Sequence, residues 1–494
     1  MMADTDSVPR SITRGASWRV VTVAAVVCGF IFLYYWALLS DGRFLRVKSF
    51  RYDLVFNSMI EYLSRGRFDV DPDAILQEGF TRDGRTYAYF GILPALLRLP
   101  ILLAPPLRTV DFTVISCAVA ATIAAVAKLG AVLQAGRAMG DVTYKSRVLL
   151  FTMAMVIFGG SQIQFLRPSV YQESIFWASA IAAVFVLLAF RWCVEVSRRK
   201  PGHMAAMAVL AGFCLLTRVS TSIGLYAACG AIMLPDVIAA VRRIRTGASV
   251  LLPSLILVFF AAICGYINYA RWGSPLTFQD YRYYDILPVN DPTFDVLINH
   301  GYFNVGRIPF ALSYFFLPVW AVIGSDGHFL FRALQDRLYY TVEAPPATFF
   351  ASDLLLCFLC VLGIAWLSRR RPVGIDRPAA RMIAFCLLIP GVFILMAIAV
   401  TFRYRMEFYP FFEFLALFGL FSLRGKIAAR PRLFTGLCGV MLAISIVSAH
   451  GFLLAYKISP WGDSAVIEKL GWAAAYQKYF HMTYPGLDRR LGRD

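Results

Sequence analysis

Hydrophobic residues in this chain fall into long unbroken runs separated by short polar stretches. Eleven runs, near 19–40, 111–133, 148–165, 172–190, 204–217, 221–240, 249–270, 350–368, 381–401, 408–423 and 433–456, come close to the roughly 20 residues a helix needs to cross a bilayer. They predict an all-α integral membrane fold with about eleven transmembrane helices. Two further apolar runs, YFGILPALLRLPILLA (89–104) and IPFALSYFFLPVWAVIG (308–324), contain prolines, and the first also holds Arg98. Broken backbone is tolerated at membrane depth where protein covers it, so these runs are read as re-entrant or interfacial half-helices. Counting either one as a span would reverse the side of every later loop.

The polar stretches sort by charge. GRAMGDVTYKSR, RWCVEVSRRKPGH, VRRIRTG, SRRRPVGIDRPAAR and RGKIAARPR are short, basic and nearly free of acids. With Arg10, Arg14 and Arg19 ahead of the first run, they place the N-terminus and these loops in the cytoplasm and the C-terminus outside. No small-residue cleavage site follows the first run, which reads as a retained anchor in the cytoplasmic membrane. Residues 1–456 then form one polytopic domain with large outer loops at 41–88 and 271–349, and 457–494 form an outer tail. No internal repeat of the kind common in carriers is visible.

Composition narrows the classes. The 494 residues are 59% hydrophobic and 16% charged, against about a quarter charged in soluble proteins. The net charge of +18 sits in loop clusters without a nucleic-acid-reading motif, so no nucleic-acid partner is expected. All ten cysteines lie in or beside apolar runs, so no disulfide framework is expected, and Cys357 and Cys360 read as packing residues of one helix. The five histidines lack ligand spacing. DVDPD (69–73) resembles a calcium loop superficially but lacks the glycine and the terminal Glu spacing. Its acids read as loop acids, and no metal or cofactor is assigned.

Chemistry concentrates on the predicted outer side. Tyr52, Val55, Phe56, Met59, Ile60 and Leu63 follow helical spacing, with Asp53, Asn57 and Glu61 opposite and SRG (64–66) as the stop. This predicts an amphipathic helix in the membrane interface, its apolar face in the outer leaflet. Asp53 falls in the first turn, where the helix dipole favours its ionised form. Such a carboxylate can take a proton from a substrate hydroxyl, or simply stabilise the helix terminus. Arg167, Arg218, Arg282, Arg403 and Arg405 lie at predicted outer helix ends. Their planar forks suit phosphate, and equally lipid headgroups. Glu173, near membrane depth, marks a site or pairs with Arg167 or Arg218. The aromatics of DYRYYDILP and LYYTVEAPP suit sugar faces, although an interfacial belt is the plainer reading.

The order of one span, an outer loop with an Asp opening an amphipathic helix, SRG, and DGRTYAYFGILPALLRLP resembles the large GT-C-fold glycosyltransferases. Most similar are bacterial relatives of dolichyl-phosphate-mannose protein mannosyltransferases and of lipid A aminoarabinose transferases. YQESIFWASAIAAVFVLLAF, LAGFCLLTRVSTSIGLY, YARWGSPLTFQDYRYYD and FRYRMEFYPFFEFLALFG follow in the matching order. Gln172 stands where relatives often have His, Glu407 where they have Asp, and Leu54 where they have a second acid. The resemblance implies transfer of a sugar from a polyprenyl-phosphate donor to a glycan, lipid or protein acceptor, outside the membrane and usually with inversion. It implies Asp53 as the general base. Glu173, Arg167, Arg218, Arg403 and Arg405 are then the candidates to bind substrate and phosphate. Two alternatives stay open: a flippase or transporter for a lipid-linked glycan, and an assembly protein that kept this fold without the chemistry.

Overall fold

A computed structural model describes residues 12–44, 52–140, 146–241, 248–285, 292–317, 337–342, 348–369 and 374–458. The predicted outer tail, apart from its first residues, and much of the second loop lie outside these. Among the described residues eleven long helices carry the fold: α1 (Ile12–Leu39), α2 (Thr113–Met139), α3 (Arg147–Phe158), α4 (Val170–Val194), α5 (Pro201–Leu215), α6 (Val219–Val241), α7 (Ala248–Trp272), α8 (Leu354–Ser368), α9 (Arg377–Leu395), α10 (Tyr409–Ala429) and α11 (Pro431–Ile458). Each coincides with one apolar run of the sequence. Among the described residues eight segments are long and apolar enough to span a membrane, and Gly202–Leu215, Val219–Pro235 and Leu354–Ser368 are shorter apolar helices. The chain is an all-α, multi-pass membrane protein.

Small residues let the helices approach closely, which suits a bundle whose surroundings are as apolar as its side chains. Ala124 and Ala127 of α2 meet Ala180 and Ala183 of α4 in a buried seam. At the α8–α10 crossing a Cβ on Gly363 would stand 2.0 Å from the Leu415 carbonyl oxygen, and one on Gly419 would stand 2.0 Å from that of Leu359. Outward residues such as Val26, Phe30 and Leu33 of α1 are left exposed, as lipid-facing positions are.

Contacts between helix ends sort the loops into two groups. At one end Arg199 pairs with Asp376 at 2.6 Å and Gln134 donates to Glu195 at 2.6 Å, among the basic loops. At the other, Lys457 meets Asp41 at 2.5 Å, tying the end of α11 to that of α1. This second end carries the long loops.

Within the first loop a nine-residue helix, Val55–Leu63, precedes a hairpin of β1 (Phe80–Arg82) and β2 (Arg85–Tyr87). The helix departs from expectation in two ways. Val55, Phe56, Met59 and Ile60 are at most 2% exposed, so protein rather than lipid covers its apolar side. Asn57, on the expected polar face, is buried and donates to the carbonyls of Arg108 and Val110 at 2.8 and 2.9 Å. The proline-rich run 89–104 breaks into the short turns Leu93–Leu96 and Leu99–Leu103. Ile308–Phe316 is a helix of nine residues, rising about 14 Å, too short to span. A parallel pair, β3 (Thr341–Val342) with β4 (Ala399–Val400), joins the second loop to the strand after α9.

Candidate active site

Arg218 stands in the turn between α5 and α6, and Glu407 closes the 3-10 turn Phe402–Phe408 that leads into α10. The Glu407 carboxylate is 1% exposed. It accepts from Arg218 Nε at 2.5 Å, Ser220 Oγ at 2.6 Å and Thr221 Oγ1 at 2.7 Å. Among the described residues neither Nη of Arg218 makes a hydrogen bond, and its side chain is 20% exposed. Glu407 thus aims the arginine fork while leaving its outer nitrogens available. Arg403 approaches from the same turn, over the ring of Tyr171 at 4.5 Å and that of Tyr404 at 5.8 Å. Arg218 lies over Tyr404 as well, at 5.6 Å, so two guanidinium groups share one aromatic ring. The first loop reaches this place because Gly91 has no side chain: a Cβ there would stand 2.3 Å from the Leu216 carbonyl oxygen.

Asp53 sits half-buried in the turn before Val55. The helix begins two residues later than its pattern suggests, with Leu54 as N-cap and no acid in the first turn. The dipole argument for its charge therefore weakens, since that effect fades beyond the terminal turn. Phe56, three residues on, packs edge-on against Phe90 at 5.9 Å, and Phe90 meets Tyr171 at 5.6 Å and Tyr89 at 4.4 Å. The helix that Asp53 precedes is thereby seated against the wall on which Arg403 rests.

The other sequence candidates divide. Glu173, fully buried, pairs with Arg98 at 2.7 Å, and neither Arg167 nor Arg218 is that partner. Arg98 also bonds Asn57 Oδ1, so the pair fastens α4 to the first-loop helix. Arg405 is fully buried, donating to Ser352 Oγ at 2.7 Å and facing Asp353 at 3.4 Å. Arg167, also buried, lies over the ring of Tyr456 at 4.8 Å. These last two are drawn into the bundle, away from the Arg218–Arg403 pair. Asp69 pairs with Arg67 and Asp71 caps the turn Pro72–Ile75, accepting from the Asp73 amide at 3.0 Å; DVDPD is partly a structural element, not only solvated acids.

Sequence reasoning passed over several groups. Arg98 and Asp353 interrupt or border apolar runs, as do Lys128 of α2 and Glu413 of α10, which meet at 2.6 Å inside the bundle. A charge within a span was the available signal. Glu78 had no such signal, lying in an ordinary polar loop. Its carboxylate accepts from Tyr284 Oη at 2.9 Å. Burial holds the phenols of Tyr89, Tyr281 and Tyr284 well above the ordinary tyrosine range, keeping them protonated donors. Tyr281, Tyr284, Tyr302 and Tyr340 pack around Phe294, Leu297 and Ile398, so these rings form an inward cluster instead of the expected belt.

No protein-family model and no curated protein sequence matches the chain. Among solved structures, the oligosaccharyltransferase AglB of Archaeoglobus fulgidus, in complex with an inhibitory peptide and a dolichol-phosphate, is similar at 14% identity and a TM-score of 0.44, over 95% of this chain and 60% of that one. Its apo form gives 14% identity and a TM-score of 0.46, over 94% and 60%. ArnT of Cupriavidus metallidurans, bound to undecaprenyl phosphate, gives 12% and 0.41, over 94% and 75%. The chain spans about 60% of the length of the oligosaccharyltransferase structures. Likenesses at this level describe a loose similarity of helix arrangement and nothing of the chemistry.

Proposed function

We propose that this protein is a membrane glycosyltransferase that moves a sugar from a polyprenyl-phosphate donor to a glycan, lipid or protein acceptor. In this reading the end with the long loops faces outward from the cytoplasmic membrane, since the basic loops lie at the other end. The observation that carries it is the pair Arg218 and Arg403, flanking Tyr404 beside the first-loop wall, with Arg218 held through Nε so that its Nη groups are available.

A departing polyprenyl phosphate leaves as an anion and needs fixed positive charge where its negative charge develops. A guanidinium oriented by a buried carboxylate supplies that charge without reorganising, and can grip two phosphate oxygens. Since the leaving group needs no proton, one carboxylate suffices: it deprotonates the acceptor hydroxyl as it attacks the anomeric carbon, and one displacement inverts that centre. Asp53 is assigned this base. Glu173, Arg167 and Arg405 are assigned to holding the segments that present Asp53, Arg218 and Arg403.

A buried intramembrane pair such as Lys128–Glu413 is what a transporter would use. The cavity beside it measures about 30 Å³, room for a water molecule and far too small for a glycan. The test is retention of undecaprenyl phosphate by purified protein, read by native mass spectrometry. Wild type binds it and Arg218→Ala weakens binding about tenfold or more, as loss of a charged double hydrogen bond requires. Equal binding by both would remove Arg218 from the phosphate site.

A further inference from the structure

Glu78 is built into the fold with unusual care for a loop acid. It closes a 3-10 turn, Leu76–Glu78, that begins at a non-glycine residue of positive φ, Leu76 at 51°. The next position must be glycine, because a Cβ on Gly79 would stand 2.5 Å from Thr86 Cγ2. From there β1 is pinned to the second loop: the Asp285 amide donates to the Gly79 carbonyl at 3.0 Å and Thr81 Oγ1 to the Asp285 carboxylate at 2.9 Å. Phe80 stacks on Tyr284 at 4.7 Å. Two loops some 200 residues apart are thus clasped together around one carboxylate, and among the described residues no cation pairs with it directly.

We propose that Glu78 and the tyrosines around it form the seat of a sugar ring, with the carboxylate accepting from two neighbouring hydroxyls of a neutral glycoside. This rests on the glycosyltransferase reading and adds to it the residue that recognises the sugar. An ionised carboxylate has about four acceptor positions. Tyr284 accounts for one, and a vicinal diol can use two of the remainder. Tyr284 and Tyr89 supply aromatic surface near it, and the Tyr89 phenol can turn to the sugar.

An aromatic group with a carboxylate can also hold an ammonium ion. The surroundings argue against that here. Arg403 lies 4.5 Å over Tyr171, and the charges of both Arg403 and Glu78 act on that side chain, so a cation already stands near the acid. A second cation would meet repulsion from Arg403, whereas a neutral polyol would not.

The experiment uses the full-length protein in nanodiscs and saturation-transfer NMR with methyl glycosides of common hexoses and pentoses. Tetramethylammonium serves as the cationic probe. Wild type binds at least one glycoside, and Glu78→Gln weakens that binding roughly tenfold or more through loss of charge-assisted hydrogen bonds. Tyr284→Phe, which keeps the ring, weakens it less. Both variants are compared at unchanged thermal midpoint, and glycosides lacking one hydroxyl of the diol lose their dependence on Glu78. Displacement by a polyprenyl-phosphate hexose but not by polyprenyl phosphate assigns the seat to the donor's sugar. Displacement by neither assigns it to the acceptor's, and both results support the proposal. It is overturned if no glycoside binds wild type, if Glu78→Gln binds as well as wild type, or if tetramethylammonium is the Glu78-dependent ligand. Failure of Asp53 as the base shows separately, as transfer that survives Asp53→Asn.

Discussion

Removing one partner of the Arg98–Glu173 pair tests whether Glu173 serves the fold or the substrate. The side chains are 5% and 0% exposed, so neither charge has water to fall back on. Glu173→Ala leaves a buried guanidinium without its carboxylate, at a cost of about 3–5 kcal/mol. Arg98→Met strands the carboxylate similarly, and Asn57 Oδ1 loses its donor as well, adding about 1–3 kcal/mol. Replacing both with apolar residues of similar volume, Arg98→Met with Glu173→Leu, removes both stranded charges and leaves mainly the Asn57 term. The singles should therefore couple by about 2 kcal/mol or more. Unfolding by SDS in mixed micelles, followed by tryptophan fluorescence, measures each corner of the cycle, and transfer activity is assayed alongside. The double variant should be more stable than either single and keep part of its activity. If Glu173→Ala costs under about 1 kcal/mol while abolishing transfer, Glu173 belongs to the substrate and the structural assignment is wrong.

Three further outcomes follow from the geometry. Gly419→Ala puts a methyl group 2.0 Å from the Leu359 carbonyl oxygen; forcing α8 and α10 apart should cost about 1–3 kcal/mol or more in the same unfolding assay, whereas Gly425→Ala, which meets nothing within 4 Å, should cost little. Asp353→Ala withdraws the carboxylate that faces the fully buried Arg405 and accepts from Tyr409 Oη at 2.8 Å, and should destabilise by about 3–5 kcal/mol, while Asp353→Asn should cost less because it keeps an acceptor. Hydrogen bonds from Arg282 hold the Asp280 carboxyl below its usual range; its stabilising effect is thus complete above the unfolded value, about 3.9, and lost only as pH falls through the lower folded one. Between pH 5 and 8, wild type and Asp280→Asn should show pH–stability profiles of the same shape, and a divergence there would contradict the assignment.

The bundle was legible because each membrane helix announces itself locally: among the described residues eleven apolar runs became eleven helices, and in the run 89–104 proline marked a break into short turns. The first-loop helix was found by its spacing. Its burial was not, because a period of 3.6 states which residues share a face and not whether lipid or protein covers it. The charged pairs were illegible for a related reason. Arg218 and Glu407 are 189 residues apart, Arg98 and Glu173 are 75 apart, and Glu78 and Tyr284 are 206 apart. No local pattern encodes such partners, so a lone charge in an apolar run signals that a partner exists without naming it. Glu78 lacked even that signal, because a polar loop offers no contrast against which an acid stands out.

Sugar transfer with Asp53 as the base is open to direct test. The most direct measurement is mass profiling of envelope lipids and glycans in a deletion strain carrying wild-type protein or Asp53→Asn at matched expression. One sugar-sized mass difference should disappear on deletion, return with wild type and not return with Asp53→Asn. Full restoration by Asp53→Asn would contradict its role as the base, and an unchanged glycan profile on deletion would contradict sugar transfer itself.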